Sequence, residues 1–388
     1  MKYHRILDLK KLTRTSSRFL FGPRGSGKSF LIRETFKEDA LVINLLKTQD
    51  YFRLAENPSL LEDILRESKK KLVVIDEVQK LPSLLDEVHR LIEEKQIRFL
   101  LTGSSARRLK RDKANLLAGR ARLSYLHPLT FHEIPQFDLE HYLLWGGLPE
   151  VNISQDKNDK REFLESYIET YLKEEIMAEQ VARNLPNYSR FLKTAALCSG
   201  ELINFAQVAS DAQLSAATVK NYFEVVQDTL VGSLLEPWVE SKKRKAIQTG
   251  KFYFFDVGVK NRLLNLSEIP QSSDLFGRSF EQFIFMELNA FRSYAKQRFA
   301  LYFWRSVNHH EVDFLLGEQI AIEVKANKKV SPRDAKNLRI LQEEGRHNIL
   351  IVVSNDPINR LKDGILYLHW KEFLVRLWGQ LGADQLRF

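Results

Sequence analysis

The sequence holds a single cysteine, Cys198, among 388 residues. One thiol excludes an intramolecular disulfide framework and any zinc site built on a cysteine cluster. Long apolar runs are missing as well, none reaching the roughly 20 residues that span a bilayer. The N-terminus, MKYHRILDLKK, lacks the apolar core of a signal peptide. A cytoplasmic protein with no membrane attachment is therefore expected. Acidic residues are outnumbered, 50 Asp+Glu against 59 Lys+Arg, giving a formal net charge of +9. That excess suits a polyanionic partner, although it is spread over a long chain. What remains is ordinary for a globular protein: 44% hydrophobic, 28% charged, and long enough for two or three domains.

The clearest chemistry lies near the start. FLFGPRGSGKSFLIRETF matches the phosphate-binding pattern G-x-x-x-x-G-K-[ST] from Gly22 to Ser29, with an apolar run before it and a helical pattern after. Gly22, Pro23, Arg24, Gly25, Ser26 and Gly27 would wrap backbone N–H groups around phosphate oxygens, and the helix opening at Lys28, Ser29 and Phe30 would add its dipole. Lys28 would reach the β- and γ-phosphates, and Ser29 would hold Mg²⁺. Further on, KKLVVIDEVQK reads as a buried strand ending in Asp76-Glu77. Asp76 at a strand tip beside such a loop binds Mg²⁺, while Glu77 polarises the attacking water. The next strand, IRFLLTGSS, ends in Thr102 and Ser104, placed to sense the γ-phosphate. NLLAGRARL offers Arg120 and Arg122; Arg120 either reaches a neighbour's γ-phosphate or is a solvated arginine of a basic stretch.

The far end poses a different question. In HHEVDFLLGEQIAIEVKAN, residues 309–327, two alternating runs flank the turn Gly317-Glu318-Gln319 and read as a hairpin. If Leu316 pairs with Ile320, Asp313 falls opposite Glu323 and Glu311 opposite Lys325. The charges then form either a solvated face or a metal site. His309 and His310 sit just before the first strand, where they either assist a site or simply lie at the surface.

Taken in order, GPRGSGKS, IDEVQKLP, LLTGSS, LAGRARLSYLHPLTFHEI and LWGGLPEV resemble a large family of bacterial and archaeal AAA+-type ATPases, related to the archaeal-ATPase and STAND branches of P-loop proteins. Members of that family carry a C-terminal domain of unknown function, usually read as a PD-(D/E)XK nuclease-like fold. The segment order here agrees: helix, three strands, helix, strand. The resemblance places Glu281 on the first helix, Asp313 on the second strand, and Glu323, Val324 and Lys325 on the third. It implies that Asp313, Glu323 and the Val324 carbonyl hold a divalent metal, Mg²⁺ or Mn²⁺ by ligand hardness, with Glu281 supporting and Lys325 acting on the water.

Between these ends the pattern turns helical. EFLESYIETYLKEEIMAEQVA has apolar residues at helical spacing and is expected to pack as a lid on the ATPase core. LINFAQVASDAQLSAATVKNYFEVVQDTLVGSLLEPW reads as a helix-turn-helix in which Ser215 caps the second helix and Val219, Tyr222, Phe223 and Val226 are buried; LVGSLLEPW is its wing. The outward residues Lys220, Asn221, Glu224 and Asp228 suit phosphate contact or protein packing better than base readout. The basic linker SKKRKAIQTGK, residues 241–251, is the more obvious polyanion contact.

The expected fold is α/β: a P-loop AAA+-type ATPase core (1–135), a helical lid (136–198), a winged-helix-like module (199–245) and a PD-(D/E)XK nuclease-like domain (246–388). The expected function is that of an ATP-hydrolysing, DNA-binding motor or switch, assembled as a homo-oligomeric ring, with ATP and Mg²⁺ as cofactors. The other reading is a signalling or scaffold ATPase whose nuclease-like domain is catalytically silent and binds partners.

Overall fold

A computed structural model describes residues 3–105, 117–172, 184–240, 246, 248–295, 299–383 and 385–388. Its N-terminal part is a five-stranded parallel sheet in the order β2-β3-β4-β1-β5. The strands are β1 (Ser17–Phe21), β2 (Leu41–Asn44), β3 (Leu72–Asp76), β4 (Arg98–Gly103) and β5 (Ala121–Tyr125). β3 is buried along its whole length, which is why LVVID reads as an unbroken apolar run. Helix α1 (Lys28–Phe36) follows β1, and α2 (Leu84–Lys95) lies between β3 and β4. Because every pairing is parallel, the ends of β1, β3 and β4 that carry Gly22, Asp76 and Thr102 share one edge.

The middle of the chain is helical: α3 (Leu139–Trp145), α4 (Lys157–Ser166) running into a π-helical turn at Tyr167–Leu172, then α5 (Leu185–Leu197), α6 (Phe205–Ala212) and α7 (Ala216–Asp228). Ser215 caps α7 by accepting from Thr218 N, and Val219, Tyr222, Phe223 and Val226 are buried, as the sequence pattern requires. Residues 173–182 of the expected lid lie outside the described residues. Leu164 and Tyr167 bury into a core shared with Tyr188, Phe191, Val219 and Phe223, so this part of the expected lid packs as one unit with the helix-turn-helix. An aromatic-rich seam holds it: Phe191 meets Phe223 edge-on at 4.9 Å, and Phe223 meets Phe252 at 5.0 Å.

The C-terminal part is an eight-stranded sheet in the order β12-β13-β11-β10-β9-β8-β6-β7. β6 (Gly232–Pro237) and β7 (Lys251–Phe254) form its edge, followed by β8 (Leu301–Arg305), β9 (Glu311–Leu316), β10 (Ile320–Lys325), β11 (Ile349–Ser354), β12 (Arg360–Lys362) and β13 (Ile365–His369). The strand read as the wing therefore belongs to the same sheet as the hairpin, joined through Glu236↔Tyr302 and Pro237↔Phe303. Four helices complete this half: α8 (Val257–Leu263), the long α9 (Asp274–Tyr294), α10 (Lys336–Gln342) and α11 (Trp370–Gly379).

One buried carboxylate ties the parts together. Glu287 of α9 accepts from Phe131 N at 2.7 Å and from the Trp378 indole Nε1 at 2.7 Å. Burial, outweighing both donors, pushes its carboxyl up to about 8. Its unfolded value is near 4.3, so the folded chain holds a proton here that the unfolded chain has released. Stability from this group is therefore greatest below about pH 4.3 and is lost as pH rises toward 8. Glu287→Gln cannot ionise. Between pH 5 and 8 its unfolding free energy should fall with pH less steeply than that of the wild type, by up to one proton's worth of slope. Parallel slopes in denaturant titrations would show that Glu287 is ionised in the fold.

Candidate functional site

The phosphate-binding loop leaves β1 at Phe21 and enters α1 at Lys28. Gly25 and Gly27 take φ values of +77° and +92°, which a side chain would resist, and Gly27 stands directly before the helix. A loop that aims its N–H groups at phosphate must turn its carbonyls outward, and each of those needs a donor. The structure supplies them one by one. Lys28 Nζ donates to Gly22 O (2.6 Å) and Pro23 O (3.2 Å). Tyr167 OH donates to Arg24 O at 2.9 Å. Arg5 Nη1 donates to Ser26 O at 2.7 Å.

Arg5 and Tyr167 carry no sequence signal, and the sequence reading missed both. Arg5 is 9% exposed. Its Nε pairs with Glu133 at 3.0 Å and its Nη2 donates to His127 O at 2.5 Å. Glu133 in turn accepts from Ile6 N and Thr130 N. The Tyr167 ring also lies against Gly25, while Leu148 and Pro149 of the WGGLPE stretch lie against Gly25 and Gly27. That stretch is itself latched. Gly146 has φ +79°, where any Cβ would collide with the Asp256 carboxylate, and Asp256 accepts from Gly147 N at 2.7 Å.

The acidic strand meets this loop as expected. Ser29 Oγ donates to Asp76 Oδ2 at 2.8 Å, and Thr102 Oγ1 donates to the other oxygen of Asp76. The pair Ser29–Asp76 fits Mg²⁺: two hard oxygen donors side by side at the mouth of the loop. Glu77 is half-buried and adopts φ +62°, a strained left-handed conformation for a residue with a side chain. Gln79, also missed from sequence, donates to Glu77 Oε2 and, at 3.3 Å, to Ser104 Oγ. Glu77 is thus placed by its backbone and held by Gln79. Phe30 points away, 41% exposed. Arg120 and Arg122 lie at the opposite end of the sheet: Ala121 pairs with Ser17 while Tyr125 pairs with Phe21, so the strand carries them roughly 10–16 Å from the loop. Neither serves its own nucleotide site, and Arg120 is engaged by Glu93.

The second candidate site is the carboxylate cluster of the hairpin. Pairing between β9 and β10 runs through Ile320↔Leu316 to Ile322↔Phe314. Beyond it the Asp313 side chain takes over, accepting from Val324 N at 2.7 Å. Glu311 does not meet Lys325, contrary to the hairpin reading. It pairs with Lys251 (2.5 Å) and Arg305 (2.9 Å), and Lys325 pairs with Glu323 (2.6 Å). Glu281 of α9 joins the cluster through Tyr253 OH (2.6 Å) and Lys251 Nζ (3.4 Å). Burial, then the charge of Glu281, pushes the Asp313 carboxyl up to about 7, and burial with neighbouring Asp313 drives Glu323 well above the ordinary range.

Lys251 corrects another expectation. It closes the basic linker read as a polyanion contact, yet it is 3% exposed and faces inward. The charged run ahead of it, Lys242, Lys243, Arg244 and Lys245, lies outside the described residues. The residues that would hold a metal here, Glu281, Asp313 and Glu323, do not converge on one. Among the described residues no group of three or more His, Cys, Asp or Glu is arranged to hold a metal ion, and the Lys251 ammonium lies among the carboxylates. His309 turns to Arg305, at 3.1 Å, rather than into the cluster.

The carbonyl contacts yield a sharp expectation. Tyr167→Phe deletes one hydrogen bond, worth about 0.5–1.5 kcal/mol, while keeping the ring. The dissociation constant for ATP should rise about two- to tenfold with little change in the unfolding midpoint. Arg5→Met leaves Glu133 buried without its cation and should cost about 3–5 kcal/mol of stability. Glu77→Gln should bind ATP normally and hydrolyse it on the order of a hundredfold more slowly. Wild-type ATP affinity in Tyr167→Phe would show that the loop holds its shape unaided.

Residues 15–135 match the AAA domain, residues 136–269 a domain of unknown function (DUF8612) and residues 276–373 a domain of unknown function (DUF4143). An uncharacterized protein of Mycobacterium tuberculosis is 27% identical over 314 residues, covering 79% of this chain and 69% of that protein. An uncharacterized protein of Methanocaldococcus jannaschii is 25% identical over 336 residues, covering 79% and 73%. A solved structure of the replication initiator DnaA bound to AMPPCP and single-stranded DNA aligns over 55% of this chain and 82% of that one, at 12% identity and a TM-score of 0.27, too slight a likeness to bear on function. No helix among the described residues is long and apolar enough to cross a membrane. With the phosphate-binding loop and its acidic strand inside the first match and the two other matches after it, the chain carries a P-loop AAA domain followed by a DUF8612 and a DUF4143 domain.

Proposed function

We propose that this ATPase is a nucleotide-driven switch acting on DNA, with a C-terminal domain of PD-(D/E)XK nuclease-like fold and a helix-turn-helix between. The observation that carries the switch is the contact of the nucleotide site with the helical unit: Tyr167 OH on Arg24 O, and Ser105 Oγ at the end of β4 donating to Asp228 O at the end of α7, 3.2 Å away. A change at the γ-phosphate has two short routes into the helix-turn-helix.

In turnover Lys28 leaves its loop carbonyls for the β- and γ-phosphates. Bound Mg²⁺ would neutralise charge on the same oxygens. Ser29 and Asp76 hold that position, and Thr102 fixes the rotamer of Asp76. Glu77 accepts the proton of the attacking water, with Gln79 and Ser104 orienting it. In a homo-oligomeric ring Arg120 would act on a neighbour's nucleotide after leaving Glu93.

The DNA reading rests on net charge, on the basic run 242–245 and on α7, which exposes Lys220 and Asn221. Such a surface meets phosphates rather than bases. A scaffold role with a catalytically silent C-terminal domain is the second reading. Exposed Glu224 on the same helix face and the lysine-filled carboxylate cluster favour it.

DNA should raise the rate of ATP hydrolysis, and binding should weaken steeply with salt as counterions are released. Replacing Lys242, Lys243, Arg244 and Lys245 together by alanine should lower affinity for all sequences alike and flatten the salt dependence. ATP turnover indifferent to duplex, fork and single strand, with no measurable DNA binding at low salt, selects the scaffold role.

A further inference from the structure

The carboxylate cluster already contains a cation. Lys251 enters it from β7, a strand outside the helix–three-strand core that supplies Glu281, Asp313 and Glu323. Its Nζ lies 2.5 Å from Glu311, 3.4 Å from Glu281 and 4.0 Å from Asp313, and 5.5 Å from the centroid of the Phe303 ring. Tyr253, two residues on and therefore on the same face of β7, donates to Glu281 Oε1 at 2.6 Å. Lys325 takes Glu323 Oε1, while Glu323 Oε2 is buried with no hydrogen-bond partner among the described residues. Carboxylates this close are stabilised in their charged form by positive charge among them, which a divalent ion can supply.

We propose that Lys251 is the resident cation of this cluster and excludes divalent metal from it, so that β7 holds the nuclease-like site closed. Two ammonium groups, buried Lys251 and half-buried Lys325, divide the work. Lys325 neutralises Glu323, and Lys251 spans the Glu281, Glu311 and Asp313 side. A metal ion bridging Asp313 and Glu323 would be repelled by both. Opening the site means withdrawing Lys251, and the strand that carries it runs on to Asp256, the latch on Gly147 beside the phosphate-binding loop. The chain leaving β7 therefore links the cluster to the stretch that lies against the phosphate-binding loop.

This inference rests on the nuclease-like reading of the C-terminal fold but not on DNA stimulation of ATP turnover, so the two fail separately. The test is Mn²⁺ uptake by the full chain without nucleotide, followed by electron paramagnetic resonance of free Mn²⁺ and by the unfolding midpoint. Wild type should show no uptake that Asp313→Asn removes, and no metal-dependent stabilisation. Lys251→Met should gain a Mn²⁺ site and a rise of several degrees in midpoint with metal, since the ion binds only the folded cluster. Lys251→Met/Asp313→Asn should lose both. Lys251→Arg keeps the charge and should remain metal-free, which guards against misreading a poorly folded methionine variant. Asp313-dependent uptake by wild type overturns the proposal and makes the site an open metal centre. Failure of a folded Lys251→Met to gain any site overturns it in the other direction, because the cluster would then exclude metal without the lysine.

Discussion

A loop can present its N–H groups to phosphate only if the carbonyls of the same peptides are satisfied on the other side, and the nucleotide site of this protein is organised around that requirement. Peptide planarity makes the two faces inseparable. Lys28 serves the first carbonyls from within the loop, but Arg24 and Ser26 depend on Tyr167 and Arg5, which arrive from the helical unit and from the extreme N-terminus. Arg5 can be buried there because Glu133 neutralises it, and Glu133 is itself capped by two backbone donors. The loop's shape is thus a property of three separate regions of chain.

Electrostatics divides the two sites. At the nucleotide edge, oxygens from Ser29, Asp76 and Thr102 meet, an arrangement suited to an incoming cation. In the hairpin cluster, four acidic side chains meet two ammonium groups from different strands. Burial and mutual repulsion raise Asp313 and Glu323, while the carboxylates hold Lys251 charged despite burial. Similar residue types have different surroundings because the first site lies at the phosphate-binding loop and the second against its own sheet.

Much of this was readable from sequence, for a definite reason. The phosphate-binding loop, Asp76-Glu77 and the Ser215-capped helix are each specified by residues within a few positions of one another. Local chemistry fixes local geometry, and the pattern survives in the string. Arg5, Tyr167 and Lys251 were not legible, because each acts on a partner brought close only by folding; Gln79 acts on Glu77 two residues away and on Ser104, which only folding brings near. Lys251 was the most misleading. A lysine closing a basic run reads as solvated, and nothing nearby in sequence shows that its strand ends up facing Glu281 and Glu311. The wing suffered likewise, since strand order in an eight-stranded sheet is set by crossovers that local alternation does not encode. A useful signal was available in KFYF, where lysine and tyrosine alternate with phenylalanine as on a strand with a polar inner face.

Tyr167 lies outside the residues that match the AAA domain, and so does Arg5. A chain trimmed to that stretch would retain every motif that defines nucleotide binding yet would strand two peptide oxygens behind the phosphates. Domain autonomy here is a property of sequence similarity and not of hydrogen-bond closure. The unit that natural selection can shuffle or lose without disarming the loop is larger than the unit that similarity delineates. It reaches from Arg5 through the π-helical turn, so an insertion between Tyr125 and Tyr167 would be felt at the nucleotide even if it never came near it.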